Sequence, residues 1–331
     1  MANQQFSLPS GRALGLSAAG DPSSHRLVVV CHPAPGAGGF DPDPLVTAAS
    51  GIQLLMIDRP GYGSSDPLPR DQDPTTEQHA DDLAYFLRHS ERVSRNANTA
   101  DFGSIGVIGW GSGGASALSL AARYPDLVDR LALVATPKAG GRGLIEPVRR
   151  MLGLSRIESF SPRSELDRVI AAHGPLSLES LGVDEMDPVL TQRGLRGRLD
   201  RMIDEASRQG ATGLASDLIT FRDRSWSLDL PAITAETLLI YADRDPNATV
   251  GDGHWYSRRV RGSRVVEVKN AGALAIVSQW GRILAHVAGL GAVPPSGGGS
   301  SSAPGSSSAL RPPSGPSASS GLSSGSTSGA A

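Results

Sequence analysis

Cysteine, lysine and aromatic residues are scarce in this 331-residue sequence. Its single cysteine, Cys31, excludes an internal disulfide and closes an apolar run. We interpret it as a small buried hydrophobic residue, with a reactive thiol as the alternative. Lys138 and Lys269 are the only lysines, so arginine carries nearly all of the positive charge. The formal net charge is -2, which argues against nucleic acid or an anionic membrane as the main partner and favours a small neutral or apolar ligand.

Long apolar runs are also missing from the sequence. No window approaches the roughly 20 apolar residues that span a bilayer, and residues 1–20 lack the basic start and apolar stretch of a secretion signal. The sequence therefore predicts a cytoplasmic protein without a membrane-spanning segment. Residues 292–331 are almost entirely Ser, Gly, Pro and Ala, which bury too little apolar surface to offset their ordering entropy. We expect this tail to be disordered, either as a flexible linker or docking segment or without a function of its own.

The remaining sequence alternates short β-branched runs with helical patterns, which is typical of a mostly parallel sheet covered by helices. Between 138 and 230 the strands stop and amphipathic helical stretches rich in Arg and Leu appear, which indicates an inserted cap. The predicted organisation is a core at 1–137 and 231–291, a helical cap at 138–230 and the tail at 292–331. Strands are predicted at 6–8, 13–18, 27–31, 54–58, 105–109, 131–135, 237–241 and 264–268, and core helices at 76–94, 112–124, 252–260 and 276–287.

Three turn-rich segments follow predicted strands. The first, V-C-H-P-A-P-G at 30–36, carries an apolar strand into a loop that can present a backbone N–H to a developing oxyanion. Pro33 has no N–H, so Ala34 is the predicted donor. A turn that only packs the edge of the sheet is the alternative. His32 heads this loop and is predicted to border the pocket.

We interpret the second segment, I-D-R-P-G-Y-G-S-S at 57–65, as a turn that reverses the chain direction and has a structural role. The third, I-G-V-I-G-W-G-S-G-G-A at 105–115, runs from a strand through a glycine-dense corner into a helix. A nucleophile at such a corner needs small residues two before and two after it, because the chain turns sharply there. Gly109 and Gly113 bracket Gly111 in this way, whereas Ser112 has the bulky Trp110 two residues before it.

In this order and spacing, the three segments resemble the α/β-hydrolase family, and the corner is most similar to the branch whose nucleophile elbow reads G-W-S-G-G-G. The likeness runs from residue 6 to about residue 288. It implies an α/β class protein of the α/β-hydrolase fold, with a mostly parallel, eight-stranded-type sheet flanked by helices and an inserted helical cap. It also implies Asp245, in Y-A-D-R-D-P at 241–246, as the acid of a Ser-His-Asp triad, the N–H groups of Ala34 and Ser112 as the oxyanion hole, and His32 and Trp110 as pocket residues.

Two positions depart from the family pattern. Gly111 stands where the family has its serine nucleophile, and Ala273, in N-A-G-A-L at 270–274, stands where it has its histidine. The triad needs the serine oxygen to attack and the histidine to take its proton, so both vestigial positions argue against serine-hydrolase activity. The sequence thus predicts a non-catalytic or catalytically impaired homologue that binds a small molecule.

An active hydrolase of esters or similar small acyl substrates is the alternative. A backbone slip of one residue would bring Ser112 to the corner, and a relocated base would replace the missing histidine. None of the seven histidines has zinc-ligand spacing to a carboxylate or cysteine partner, so no metal and no other cofactor is predicted.

Overall fold

A computed structural model describes residues 4–90, 104–140, 145–154, 162–222 and 228–289. The chain divides into two units, Met1–Val293 and Pro294–Ala331. The predicted disordered tail at 292–331 lies outside the described residues. Within the described ranges, no helix combines the length and the apolar character needed to cross a bilayer.

One eight-stranded sheet forms the centre of the first unit and confirms the predicted fold class. Its spatial order is β1-β2-β4-β3-β5-β6-β7-β8. The pairs β1–β2 and β2–β4 are antiparallel, and every other neighbouring pair is parallel. The central strands are aliphatic runs buried on both faces, as parallel strands covered by helices require. The strands are β1 (Gln4–Ser7), β2 (Ala13–Gly20), β3 (Leu27–Cys31), β4 (Gln53–Ile57), β5 (Ile105–Trp110), β6 (Val128–Val134), β7 (Glu236–Ala242) and β8 (Arg264–Val268).

Helices cover both faces of this sheet, as two glycines of β5 show. A Cβ built at Gly106 would lie 2.7 Å from the carbonyl oxygen of Val287, whereas one built at Gly109 would lie 2.5 Å from the Cα of Gly114. Because positions three apart on a strand face opposite sides, the helices that carry Val287 and Gly114 lie on opposite faces. The core helices are α1 (Pro44–Ala49), α2 (Thr76–His89), α3 (Gly113–Arg123), α8 (Val250–Ser257), α9 (Ala275–Ser278) and α10 (Trp280–Val287).

Between β6 and β7, the described residues form only helices and 3₁₀ turns. Leu166, Leu214 and Leu218 from this insertion pack in a cluster with Ala34 and Tyr62, which follow β3 and β4. The insertion therefore covers the loops at the carboxyl ends of these two strands. Its helices are α4 (Glu146–Met151), α5 (Arg163–His173), α6 (Leu195–Ala206) and α7 (Thr212–Arg222), and the 3₁₀ turns are Leu178–Leu181, Pro188–Thr191 and Leu230–Ala232.

The structure corrects two predicted helices. The helix predicted at 76–94 ends at His89, since Ser90 has an extended backbone. The pattern at 276–287 predicts one continuous helix, but Gln279, with φ -104° and ψ 7°, separates α9 from α10. Trp280, the first residue after the break, is buried and donates its indole N–H to Thr47 Oγ1 at 2.8 Å. Trp280 thus anchors the start of α10 to α1. The hydrophobic periodicity of the sequence does not predict this contact or the break beside it.

Candidate functional site

Gly111 occupies the corner between β5 and α3. It has φ +55°, and its N–H donates to Val134 O at 2.9 Å. Its neighbours are crowded: a Cβ at Gly113 would lie 2.2 Å from Cys31 O, and one at Gly114 would lie 2.1 Å from Thr136 Oγ1. At Gly111 itself, the nearest atom to a built Cβ would be the Cβ of Pro33 at 3.4 Å, an ordinary contact distance. Of these three glycines, only Gly111 therefore has room for a side chain.

Ser112 follows the apex as the N-cap residue of α3. Its φ and ψ of -63° and -24° are helical, so the positive φ that marks the apex belongs to Gly111. The Ser112 side chain is 3% exposed and makes no capping hydrogen bond. Its Oγ is buried and has no partner among the described residues. This hydroxyl is therefore a buried polar group beside the apex.

Asp245 lies in the turn after β7 and is 6% exposed. Its Oδ1 accepts hydrogen bonds from the backbone N–H groups of Asn247 at 2.8 Å and Ala248 at 3.2 Å. Burial raises the pKa of the Asp245 carboxyl above its ordinary value, although these two N–H groups act to lower it. Asp243, the other acid of the turn, is exposed. The structure thus places Asp245 as the buried and oriented carboxylate of this turn.

Ala273 follows β8 and is 8% exposed. It lines the same cavity as Gly111, Ser112 and Asp245. The methyl group provides neither a proton acceptor nor a hydrogen-bond donor for Asp245. The structure therefore brings Gly111, Ala273, Asp245 and Ser112 together in the lining of one cavity.

The two residues predicted to supply the N–H groups of an oxyanion hole line the same cavity. Ala34 in the loop after β3 and Ser112 at the amino end of α3 both line the cavity. Neither N–H donates to an acceptor in the part of the chain that the structure describes. The helix dipole of α3 adds partial positive charge at Ser112. This pair can stabilise a carbonyl or carboxyl oxygen.

The cavity encloses about 410 Å³ of empty space, including its open mouth. Trp110 forms part of its wall and stacks against Phe40, with ring centroids 5.4 Å apart. Pro147 and Leu181 come from the insertion, so the insertion roofs the cavity. The apolar lining consists of Pro33, Trp110, Ala135, Pro137, Pro147, Leu181 and the methyl groups of Ala34 and Ala273.

His32 lies behind this cavity and lines a smaller neighbouring one. Its Nε2 accepts the Arg59 N–H at 3.0 Å, and its Nδ1 lies 2.8 Å from Pro33 O, so the proton resides on Nδ1. Burial, followed by the charge of Arg59, lowers the pKa of His32 well below its ordinary value. Both ring nitrogens are occupied by structural hydrogen bonds. His32 thus fixes the loop that carries Ala34 and is not in a position to act as a base in the cavity.

None of the seven histidines, all of which lie in described ranges, lines the cavity. His79 and His286 are buried elsewhere, and the others apart from His32 are exposed. Among the described residues, no cluster of three or more His, Cys, Asp or Glu side chains is arranged to hold a metal ion.

One polar residue of the cavity lining is not predicted from the sequence. Asn247 lies two residues after Asp245, and both polar atoms of its side chain are buried without a partner among the described residues. Its only sequence signal is its position in the loop that carries the acid.

The family model described as the alpha/beta hydrolase fold matches residues 26–278. The pimeloyl-[acyl-carrier protein] methyl ester esterase of Neisseria meningitidis is 27% identical over 172 residues, which are 50% of this chain and 50% of that protein. The chain therefore spans about half the length of this relative. The enzyme of the same name from Chromobacterium violaceum is 27% identical over 227 residues, covering 65% of this chain and 74% of that protein.

Solved structures agree with this match. An alpha/beta hydrolase fold protein from Nakamurella multipartita is 25% identical, with a TM-score of 0.57 over 87% of this chain and 100% of that one. An esterase from Exiguobacterium antarcticum is 16% identical, with a TM-score of 0.62 over 86% of this chain and 97% of that one, and shares the fold. The sheet order, the elbow-like corner and the family match lead to one conclusion: the chain belongs to the α/β-hydrolase fold family.

Proposed function

We propose that this protein is a non-catalytic or catalytically impaired α/β-hydrolase homologue that binds a small carbonyl-containing ligand. One observation carries the proposal: the apex residue, Gly111, has the positive φ of an elbow and lines the cavity but bears no attacking oxygen. Ala273, on the same cavity, supplies no base. The chain therefore keeps the scaffold of the reaction without its two reacting side chains.

The expected loss of catalytic rate supports this proposal. In a comparable triad, removal of the serine or the histidine costs roughly a millionfold in kcat, and removal of both adds little because they act as a unit. The oxyanion hole and substrate binding that remain are together worth only about a thousandfold over water. Such a residual rate is too low for a working hydrolase.

The groups that remain are those of a binding site. The N–H groups of Ala34 and Ser112 can hold a carbonyl oxygen, and the apolar walls can hold the rest of the molecule. Polar groups and apolar walls on one cavity are the features of a ligand site, and the presence of this cavity argues against a pure scaffold without a pocket. Because the relatives named above are methyl ester esterases, small esters and the corresponding acyl compounds are the first ligands to test.

One observation favours the alternative, an active hydrolase that uses Ser112. Its Oγ is buried, unpaired among the described residues, and borders the cavity. A base must then remove its proton, and Asp245 is the only acidic or basic side chain among the lining residues. A carboxylate whose conjugate acid has even a raised pKa is a much weaker base than the alkoxide it would have to form, so we place this function second.

The test is a labelling and turnover assay on the purified full chain and on a Ser112→Ala variant. We expect no labelling by a fluorophosphonate probe and no hydrolysis of a panel of small methyl and p-nitrophenyl esters. The same esters should nevertheless raise the melting temperature by binding the folded state. Labelling that disappears in Ser112→Ala would establish the alternative. If the wild-type chain shows no turnover and no thermal stabilisation, both functions are refuted.

A further inference from the structure

Asn247 lines the cavity and carries an uncommitted side-chain amide. Its backbone N–H is fixed by the hydrogen bond to Asp245 Oδ1 at 2.8 Å. Its side-chain Nδ2 and Oδ1 are both buried, and neither has a partner in residues 4–90, 104–140, 145–154, 162–222 or 228–289. A buried donor or acceptor without a partner is unfavourable, and here both occur on one side chain that lines a cavity.

The insertion holds this amide in place. A Cβ built at Gly182 would lie 2.2 Å from Asn247 Nδ2, so the absence of a side chain at Gly182 makes room for the amide. Gly182 follows the 3₁₀ turn Leu178–Leu181, whose last residue also lines the cavity. The amide is therefore enclosed between the turn after β7 and this segment of the insertion.

A second buried polar group borders the same cavity. The Oγ of Ser112 is unpaired among the described residues, and the side chain is 3% exposed. Together with the N–H groups of Ala34 and Ser112, it is one set of polar groups in the cavity lining, and the amide of Asn247 is another. A ligand that satisfies both sets therefore needs two polar groups.

The chemistry of each set of polar groups in the lining defines the ligand group that it can bind. The N–H donors require an acceptor, which a carbonyl oxygen supplies. An asparagine amide offers one acceptor and a donor pair, and its matched partner is another amide or a protonated carboxylic acid. The Asp245 carboxylate on the same wall disfavours an anionic carboxylate ligand by like-charge repulsion, so the neutral carboxamide is the better match.

We propose that the cavity recognises a small neutral molecule carrying both a carbonyl group, bound by the N–H groups of Ala34 and Ser112, and a carboxamide, paired with the side chain of Asn247. This inference rests on the proposed function as a binder of carbonyl compounds. It adds a specificity determinant, Asn247, and a second ligand group that the triad scaffold does not require.

The test is a binding titration of the purified full chain with matched ligands. Methyl succinamate, methyl glutaramate and methyl adipamate each carry one ester and one carboxamide, and their dimethyl esters replace the carboxamide with a second ester. Isothermal titration gives Kd, and proton NMR of the same samples reports hydrolysis. We expect at least one half-amide to bind about tenfold more tightly than its dimethyl ester, because two buried neutral hydrogen bonds distinguish them.

Two variants assign this preference to Asn247. Asn247→Leu removes both polar atoms, and Asn247→Asp keeps the shape but loses the donor, so each should abolish the preference for the half-amide. Gln192→Leu removes an exposed amide from the insertion and serves as the matched control, in which the preference should persist. Circular dichroism and urea unfolding establish that each variant is folded.

The possible outcomes separate the two proposals. Equal affinity for half-amide and dimethyl ester, or a preference that survives in both Asn247 variants, would overturn this inference and leave the proposed function standing. Ester hydrolysis by the wild-type chain at the rate of a working hydrolase would overturn the proposed function, while the preference could still be measured. If no probe of either class binds, both proposals are wrong.

Discussion

Arg59, in the loop after β4, and Asp217, on α7 of the insertion, form a buried bidentate ion pair. Nη2 lies 2.7 Å from Oδ2, and Nε lies 3.2 Å from Oδ1. Tyr62 donates its hydroxyl to the same Oδ2 at 2.6 Å, and Arg59 also donates to Pro33 O at 2.9 Å. Burial acts to lower the pKa of Arg59, but the charge and hydrogen bond of Asp217, together with Tyr62 and Cys31, raise it above its ordinary value. The pair thus connects the insertion to the loop that carries Ala34.

Asp217→Ala should destabilise the fold by about 3–5 kcal/mol, because it leaves the Arg59 guanidinium buried without a counter-charge. Urea unfolding at neutral pH measures the change. Asp200→Ala removes an exposed carboxylate that lies 3.3 Å from Arg196, and it should change the free energy of unfolding by less than about 1 kcal/mol. Similar values for the two variants would mean that the buried pair does not hold the insertion in place.

The sheet and its corner could be predicted because their signals are local. Aliphatic runs mark buried strands, and Gly109, Gly111 and Gly113 mark a turn where side chains do not fit. The start of β6 at Val128 was missed, since Asp129 and Arg130 interrupt its apolar pattern. These side chains lie at the end of the sheet, where they form ion pairs with residues of other elements. Ion pairs between segments that are distant in the sequence leave no periodic hydrophobic pattern, so the sequence alone does not predict them.

Asn247 could not be predicted for the same reason. Its burial depends on the approach of Gly182 from the insertion, a segment that lies much earlier in the sequence. A single amide in a turn is ordinarily a solvated or capping residue. Only the three-dimensional placement of the insertion makes its two polar atoms buried and unpaired.

The glycines of the corner should differ sharply in their tolerance of substitution. Gly111→Ala adds a Cβ with no close contact, so only its positive φ opposes the change, at about 1–2 kcal/mol. Gly113→Ala places a Cβ 2.2 Å from Cys31 O and 2.4 Å from His32 O, and backbone atoms cannot easily move away. We expect a loss of about 3 kcal/mol or more for this variant. Urea midpoints provide the comparison, and equal tolerance at both positions would contradict the corner geometry.

A serine at position 111 together with a histidine at position 273 should produce ester hydrolysis. Gly111→Ser together with Ala273→His places a hydroxyl and an imidazole on the cavity that already holds Asp245 and the two N–H donors. We expect ester hydrolysis at least a hundredfold above that of either single variant, because serine and histidine act only as a unit. Steady-state kinetics with a p-nitrophenyl ester measures the effect.

Adding Asp245→Ala to the double variant supplies the control. The gained activity should fall, since the imidazole would lose the carboxylate that orients it. An inactive double variant with native circular dichroism would show that Gly111 and Ala273 do not occupy the nucleophile and histidine places.

Stability should also depend on a buried histidine far from the cavity. His79 on α2 is 4% exposed, and its Nδ1 lies 3.4 Å from Ser116 Oγ. Burial, with the charges of Arg59 and Arg12, lowers the pKa of His79 to about 3. In the unfolded chain its pKa returns to about 6.5, so below that pH the unfolded state binds a proton that the folded state excludes.

The free energy of unfolding should therefore fall as pH decreases from 6.5 toward 3, and His79 should account for about 2 kcal/mol of the loss between pH 7.5 and pH 5. In His79→Gln the same pH change should cost about 2 kcal/mol less than in the wild-type chain, because the glutamine cannot take up a proton in either state. His173→Gln removes an exposed histidine and should leave the wild-type pH dependence unchanged. Urea unfolding curves at a series of pH values give these free energies. A pH dependence that is the same in His79→Gln and in the wild-type chain would show that His79 is protonated in the folded state, and that its burial does not lower its pKa as the structure requires.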